Sequence, residues 1–177
     1  YFVLYAFLGW VCEDLYCGIP AKKFINRGFF YGPYCPIYGV GALLVLYPLL
    51  FVKDYPILVF VLGVIITSAL EYITSWVMEI LFKTRWWDYS ERFMNINGRV
   101  CLLNSTLFGI MSIVVIYIIH PIIQDIVMDI PFTALMSFLS AFTIGFGIDC
   151  VFTVLALLRR KQVFQKVQVQ MEAFKKD

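Results

Sequence analysis

From about Pro56 to Phe82 the chain is almost continuously apolar over more than the roughly 20 residues that a helix needs to cross a bilayer. Four further segments share this character: about 1–17, 36–52, 101–119 and 132–158. Pro36, Pro56 and Pro131 open three of the five, where a missing N–H costs least, and Pro48 interrupts the second. The chain is 62% hydrophobic and 15% charged, against about a quarter charged in a water-soluble domain. Lipid must therefore cover much of its surface. The expected fold is an all-α polytopic transmembrane bundle of about five spans. It forms one helical domain over 1–158, followed by a basic amphipathic tail over 159–177. The first residue, Tyr1, points to a piece of a longer reading frame. The first segment lacks the basic start and the small-residue cleavage site of a signal peptide.

Charge orients the bundle. Every basic residue except Lys53 falls in the 18–35 loop, the 83–100 loop or the tail. With five spans these three stretches share one side, and the positive-inside rule makes that side cytoplasmic. The N-terminus is then outside and the C-terminus inside, with two structured cytoplasmic loops. A net charge of +2 makes nucleic acid an unsuitable partner. The lipid bilayer is the first partner.

Two similar strings suggest an internal repeat, with ordinary helix-end composition as the alternative reading. "WVCEDL" (10–15) and "WVMEIL" (76–81) each lead into a loop with Asn, Gly and Arg close together, then a cysteine, Cys35 or Cys101, and another helix. Both units would run out-to-in and back, as parallel repeats.

Acidic side chains at membrane depth cost about 2.5–3.5 kcal/mol each on insertion scales. Glu13, Glu71 and Asp149 are the three that stand out, and Arg27 and Arg99 are their natural partners. A buried ion pair that only fixes packing is the alternative reading. The first loop, "KKFINRGFFYGPYCPIYGVG", reads as a re-entrant or capping segment over a cavity, tolerable only against protein or water. In it Asn26, Arg27 and Tyr38 are binding candidates. The second loop supplies Asp88, Tyr89, Asn95, Asn97, Arg99 and Asn104. With the three carboxylates they would form a polar site for an anionic or zwitterionic head group, unless the network only pins loops to helices. Trp86 and Trp87 read as an interfacial aromatic belt. Ser137, Ala141, Gly145 and Asp149 form a small-residue stripe suited to helix packing. The tail's Phe164, Val167, Met171 and Phe174 form an apolar stripe for the leaflet or a partner.

Four of the five cysteines, Cys12, Cys17, Cys35 and Cys101, fall at or near the reducing inner face, where disulfides are disfavoured. No C-x-x-C spacing is present and His120 is the one imidazole, so no metal site is expected. The P-loop and dinucleotide fingerprints are absent, so no cofactor is expected and any ATPase would be a separate chain.

The strings "GWVCEDLYC", "NRGFFYGPYCPIYGVGALL", "LEYITSWVMEILF" and "RWWDYSERFMNINGRVCLLNSTLFG" together resemble the CmpB-like family of type IV ABC-transporter permeases, over nearly the whole chain. The resemblance implies a bacterial inner-membrane location and a permease-like transporter component, working with a separate ATPase subunit or a second copy of itself. It assigns no residue roles. Two other readings stand beside it. One is a membrane enzyme acting on a lipid or small anion at the inner leaflet, with Glu71, Asp149 or Asp88 as acid or base. The other is a scaffold or sensor that recruits a partner through its tail.

Overall fold

A computed structural model describes residues 1–22 and 29–174, with the side chains of 17, 20, 21 and 160–174 outside that description. Asn26 and Arg27, and the apolar stripe of the tail, lie outside the described residues and side chains.

Five helices make up the described chain: α1 (Phe2–Ala21), α2 (Pro36–Leu49), α3 (Pro56–Phe82), α4 (Leu102–Met128) and α5 (Phe132–Phe174). Pro36 and Pro56 occupy the opening turns of α2 and α3, as the sequence leads one to expect. The carbonyl of Pro131 accepts the first bond of α5, from the N–H of Leu135. Just after Pro48, α2 tightens into a single 3-10 turn over Leu50–Val52. Both α1 and α3 end on a lysine in the left-handed region, Lys22 (φ 50°) and Lys83 (φ 56°).

α4 departs from expectation. It continues past Ile119 to Met128 through a π-helical stretch, Val115–Ile119, directly before Pro121. A proline ring collides with the carbonyl four residues back. A widened turn relieves that collision without ending the helix. α5 also runs beyond the expected boundary near 158 and stays helical to Phe174.

By length and composition three helices are able to cross a membrane: α3, α4 and the Phe132–Arg159 part of α5. Pro36–Val52 is a shorter apolar helix, and the 20 residues of α1 reach about 30 Å at 1.5 Å per residue. The protein is an all-α bundle of membrane type.

α1 lies along α2 and α3 along α4, and α2 joins the two pairs by packing on α3. The apolar core sits at one end: Tyr5, Val45, Leu46, Leu49, Val59, Val115, Ile116 and Ile123 come from all four of these helices. His120 is buried at this same end, within 3.1 Å of the Tyr5 hydroxyl. The Tyr117 hydroxyl donates to the Lys53 carbonyl there. The second loop, 83–100, and the described parts of the first, 18–22 and 29–35, lie at the opposite end, at the far ends of α1 and α3.

Small residues let the helices touch. A Cβ on Gly63 would lie 2.6 Å from Ser112, and one on Gly109 would lie 2.7 Å from the Phe60 ring. The contacts repeat between the pairs. Gly39 of α2 packs on Phe2 of α1, and Ser105 of α4 bonds Ser68 of α3 at 2.8 Å. Phe2 and Ser68, like Gly39 and Ser105, are as far apart in sequence as Trp10 and Trp76. Cys35 and Cys101 keep the same spacing and occupy the position before α2 and α4 respectively. The repeated strings thus mark a repeated packing unit.

The close helix contact expected of the stripe Ser137, Ala141, Gly145 and Asp149 is not made at Gly145: among the described residues nothing lies within 4 Å of a Cβ built there. Asp149, the last member of the stripe, does reach the bundle, alongside Phe142 and Phe146.

Candidate functional site

Each of the three singled-out carboxylates is held by a tyrosine. Tyr38 on α2 donates to Glu13 at 2.6 Å. Tyr89, from the second loop, donates to Glu71 at 3.2 Å. Tyr34, from the first loop, donates to Asp149. Gly9 makes the first contact possible, because any Cβ there would collide with Tyr38. Asn104 lies close enough to the Tyr89 hydroxyl to favour its charged form, and that hydroxyl is the one bonded to Glu71. Glu13 and Glu71 are near enough to sense each other's charge.

Arg27 and Arg99 are the expected partners; Arg27 lies outside the described residues, and for Arg99 the structure differs from the expectation. Arg99 meets none of these three acids. Its Nη2 donates to Glu79 at 2.5 Å and its Nη1 to the Ser75 hydroxyl at 3.1 Å, with the Tyr72 ring centre 5.7 Å from the guanidinium carbon. Glu79 also accepts from Arg85 Nε at 3.2 Å. A deep carboxylate paired with a guanidinium requires two charges to lose water, whereas a phenol requires one. Glu79 keeps a third of its side chain exposed and can pair with arginine at lower cost.

Asp149 is the most fully bonded acid. The backbone N–H groups of Tyr31 and Gly32 donate to it at 3.1 and 2.8 Å. The Thr153 hydroxyl adds a bond at 2.9 Å, alongside that of Tyr34. Around it Phe30, Tyr34, Phe142 and Phe146 pack ring to ring. The first loop also reaches the second, since Phe29 meets both Phe82 and Trp86 at 5.6 Å between ring centres. The two connectors do come together.

The second loop is largely self-supporting. Asn95–Ile96 (β1) pairs antiparallel with Val100–Cys101 (β2) across a three-residue connection, 97–99; Asn97 and Gly98, with φ of 53° and 68°, are the central pair of a turn closed by the Arg99 N–H donating to the Ile96 carbonyl at 3.0 Å. Both values are positive, the signature of the primed hairpin turn. Asn-Gly is the sequence signal for this hairpin, a detail that the expectation of a structured loop does not contain. Gly98 is required, because a Cβ there would lie 2.6 Å from Asp88. Asn95 spends its amide on the carbonyls of Ser90 and Arg92 and its carbonyl on the Gly98 N–H. Asn97 donates to the Tyr72 hydroxyl. Asp88 accepts from the Ser90 hydroxyl at 2.5 Å and from its N–H at 3.0 Å. These two bonds hold the Asp88 carboxyl below its ordinary value. Trp87 is not simply a belt residue, since its indole N–H donates to the Arg99 carbonyl at 2.9 Å.

Burial raises the loop phenols of Tyr34 and Tyr89, with Asp149 and Glu71 adding to the effect. Burial also pushes the Cys35 thiol up to about 11, helped by Glu13 and Asp14.

Two acids were missed. Glu79 occupies in "WVMEIL" the place that Glu13 occupies in "WVCEDL", and that correspondence was the signal for it. Asp14 is buried, and neither of its carboxylate oxygens has a hydrogen-bond partner among the described residues. The same holds for one oxygen of Glu71. At 3.6 residues per turn Asp14 falls about a third of a turn away from the packed stripe of Tyr5, Ala6 and Gly9. Helical phase therefore points away from it. No cluster of three His, Cys, Asp or Glu side chains suited to a metal occurs among the described residues.

Beside the exit of α3 lies a cleft of about 320 Å³ lined by Trp76, Glu79, Ile80, Lys83 and Arg99. The loop-bearing end therefore offers two kinds of polar surface: an acidic group within the bundle and a cationic cleft at its edge.

Comparison with known proteins finds no match among curated proteins or solved structures. The family model described as "Putative ABC-transporter type IV" matches residues 1–154, from α1 into α5 beyond Asp149. The chain belongs to this CmpB family of type IV ABC-transporter proteins.

Proposed function

We propose that the chain is a multi-pass, permease-like transporter component of a bacterial cytoplasmic membrane. Its five helices are five spans, and its loop-bearing end faces the cytoplasm. The segregation of cationic residues supports that orientation: among the described residues all but Lys53 belong to the two loops, their flanks or the end of α5. One observation carries the functional reading. α1 and α3 bring Glu13, Asp14 and Glu71 to the loop-bearing half of a lipid-covered bundle, and Asp14 and Glu71 retain unbonded oxygens among the described residues. Ionisable groups within a membrane default to a functional role, and acids left partly unbonded are free to meet a passing solute or ion. ATP hydrolysis falls to a separate chain, because no P-loop is present here. The same end supplies the anion or head-group surface, in the cleft lined by Lys83 and Arg99.

The enzyme reading is weaker. Asp88 is occupied by Ser90 and lies 3.8 Å from Arg85, an arrangement that shapes a turn and leaves little for a general base.

The test is isolation of the chain from its native membrane. An ATPase should co-purify, and its turnover should rise on reconstitution with the chain. Asp14→Asn and Glu71→Gln should keep the complex but lose the stimulation. A chain that isolates alone and leaves ATPase turnover unchanged would overturn the reading.

A further inference from the structure

We propose that the cleft beside the exit of α3 binds the head group of an anionic phospholipid. The inference rests on the helices being membrane spans and on the loop-bearing end being a membrane boundary. It does not depend on transport.

The first argument is charge. Glu79 is the one carboxylate lining the cleft, and its Oε2 already serves both Arg85 and Arg99. Asp88 is the other acid paired with these arginines among the described residues, 3.8 Å from Arg85. Lys83 has no ion-pair partner among the described residues. Three cations thus face two carboxylates, and a phosphate would complete the balance. A phosphatidylethanolamine would bring its own ammonium to the same cations and lose that advantage.

The second argument is preorganisation. Arg99 is 9% exposed and is fixed by Ser75, by Glu79 and by the Tyr72 ring. Its planar fork is set before any ligand arrives, so little entropy is lost when a phosphate oxygen meets it.

The third argument is depth. Trp76 lies seven residues before Lys83, about 10 Å along the helix at 1.5 Å per residue. Trp76 and Ile80 are 51% and 48% exposed on the bilayer side of the cleft. A lysine at the boundary, with an aliphatic side chain about one turn deeper and an indole about two turns deeper, fits a phosphate above and acyl carbons below. A free phosphate would use the cations but leave Trp76 and Ile80 without a role.

The experiment is native mass spectrometry of the full chain released from mixed-lipid nanodiscs. Phosphatidylglycerol, phosphatidylethanolamine and phosphatidylcholine compete in it at equal mole fraction. A second arm adds inorganic phosphate or glycerol phosphate. Phosphatidylglycerol should be retained in preference to both other lipids. Lys83→Asn should reduce that preference about fivefold, the effect of one lysine at a lipid surface. Asn accepts the left-handed backbone at this position, so the helix end should stay intact, and an unchanged melting temperature would confirm it. Trp76→Leu should lower retention of all lipids at this site while leaving the head-group order unchanged. Equal retention of the three lipids, or phosphatidylglycerol retention unchanged in Lys83→Asn, would overturn the proposal. So would displacement of the lipid by millimolar soluble phosphate. Because no ATPase is present, failure of the transporter reading would leave this result untouched, and the reverse also holds.

Discussion

The attachment of α5 depends on one carboxylate, and removing it should release the helix. α5 contacts the rest of the bundle sparingly, through the rings of Phe142 and Phe146 and through Asp149 and Thr153. In Asp149→Ala four donors lose their acceptor, but they are not equally harmed. The Tyr31 N–H is exposed and water can replace the carboxylate. The Thr153 hydroxyl can turn to the carbonyl four residues back in its own helix. The Gly32 N–H and the Tyr34 hydroxyl are the two without a ready substitute. Each bond to a charged acceptor is worth about 1.5–3 kcal/mol, so the substitution should cost about 3–6 kcal/mol. Asp149→Asn should behave differently. Its carbonyl oxygen can stay on Gly32 and Tyr34 while its amide faces Thr153, whose hydroxyl can accept. Charge assistance on Gly32 and Tyr34 is lost, roughly half the strength of these bonds, and the exposed Tyr31 N–H, which faced the replaced oxygen, turns to water, so a cost of about 1.5–3 kcal/mol is expected. Unfolding in detergent titrated with dodecyl sulfate measures both. Cross-linking of Phe30→Cys with Phe146→Cys by a bifunctional thiol reagent, at positions whose rings are 5.3 Å apart, reports whether α5 has left the loop. An Asp149→Ala cost below about 1 kcal/mol, or an Asn variant as unstable as the Ala variant, would refute the ranking of these donors.

Three other outcomes follow from single contacts. Gly63→Ala and Gly109→Ala press a methyl into Ser112 and Phe60 and should each cost about 1–3 kcal/mol by overpacking, whereas Gly145→Ala, facing open space, should cost almost nothing in the same unfolding titration. Asp88 has a folded-state value below its ordinary 3.8, so its contribution to the hairpin is complete above that value and is lost only as pH falls through the depressed one; Trp87 fluorescence should stay flat from pH 9 to 5, and a change below pH 4 should vanish in Asp88→Asn. The Cys35 thiol, pushed up to about 11, should alkylate about tenfold faster per pH unit between 8 and 10, as followed by mass spectrometry; rapid modification at pH 7.5 would contradict its burial.

Much of this architecture can be read from the sequence because the bilayer simplifies the problem. Length and hydropathy give α3 and the start of α5 almost to the residue, and the prolines at 36 and 56 set two helix starts. The end of α4 is less legible. Pro121 looks like a terminator, and only a widened turn, which leaves no mark in the sequence, carries the helix across it. The Asn97-Gly98 hairpin was legible in principle, but a span of four paired residues is hard to see inside a loop of 18 residues.

The pairing of the acids was not legible, and the reason is dielectric. A sequence shows which charges exist, so the natural guess joins carboxylates to arginines. Inside a bilayer the partner is chosen by depth. Glu79 is two turns closer than Glu71 to the loop-bearing end of α3, keeps some solvent, and gathers Arg85 and Arg99. Glu71, buried further in, takes the neutral hydroxyl of Tyr89. Glu13 is the counterpart of Glu79 in the repeated string, yet it takes Tyr38, which Gly9 admits to the α1–α2 seam. The same string therefore supports an ion pair in one unit and a phenol–carboxylate bond in the other. What separates them is the close approach at Gly9, where α3 carries Ser75 and uses it to hold Arg99. Gly9→Ser should then displace Tyr38 from Glu13 and leave that acid unsatisfied, while Ser75→Gly should loosen Arg99 without moving a helix. Infrared carboxylate bands for the first variant, and lipid retention at the α3 cleft for the second, would distinguish a divergence of paired units from two unrelated seams.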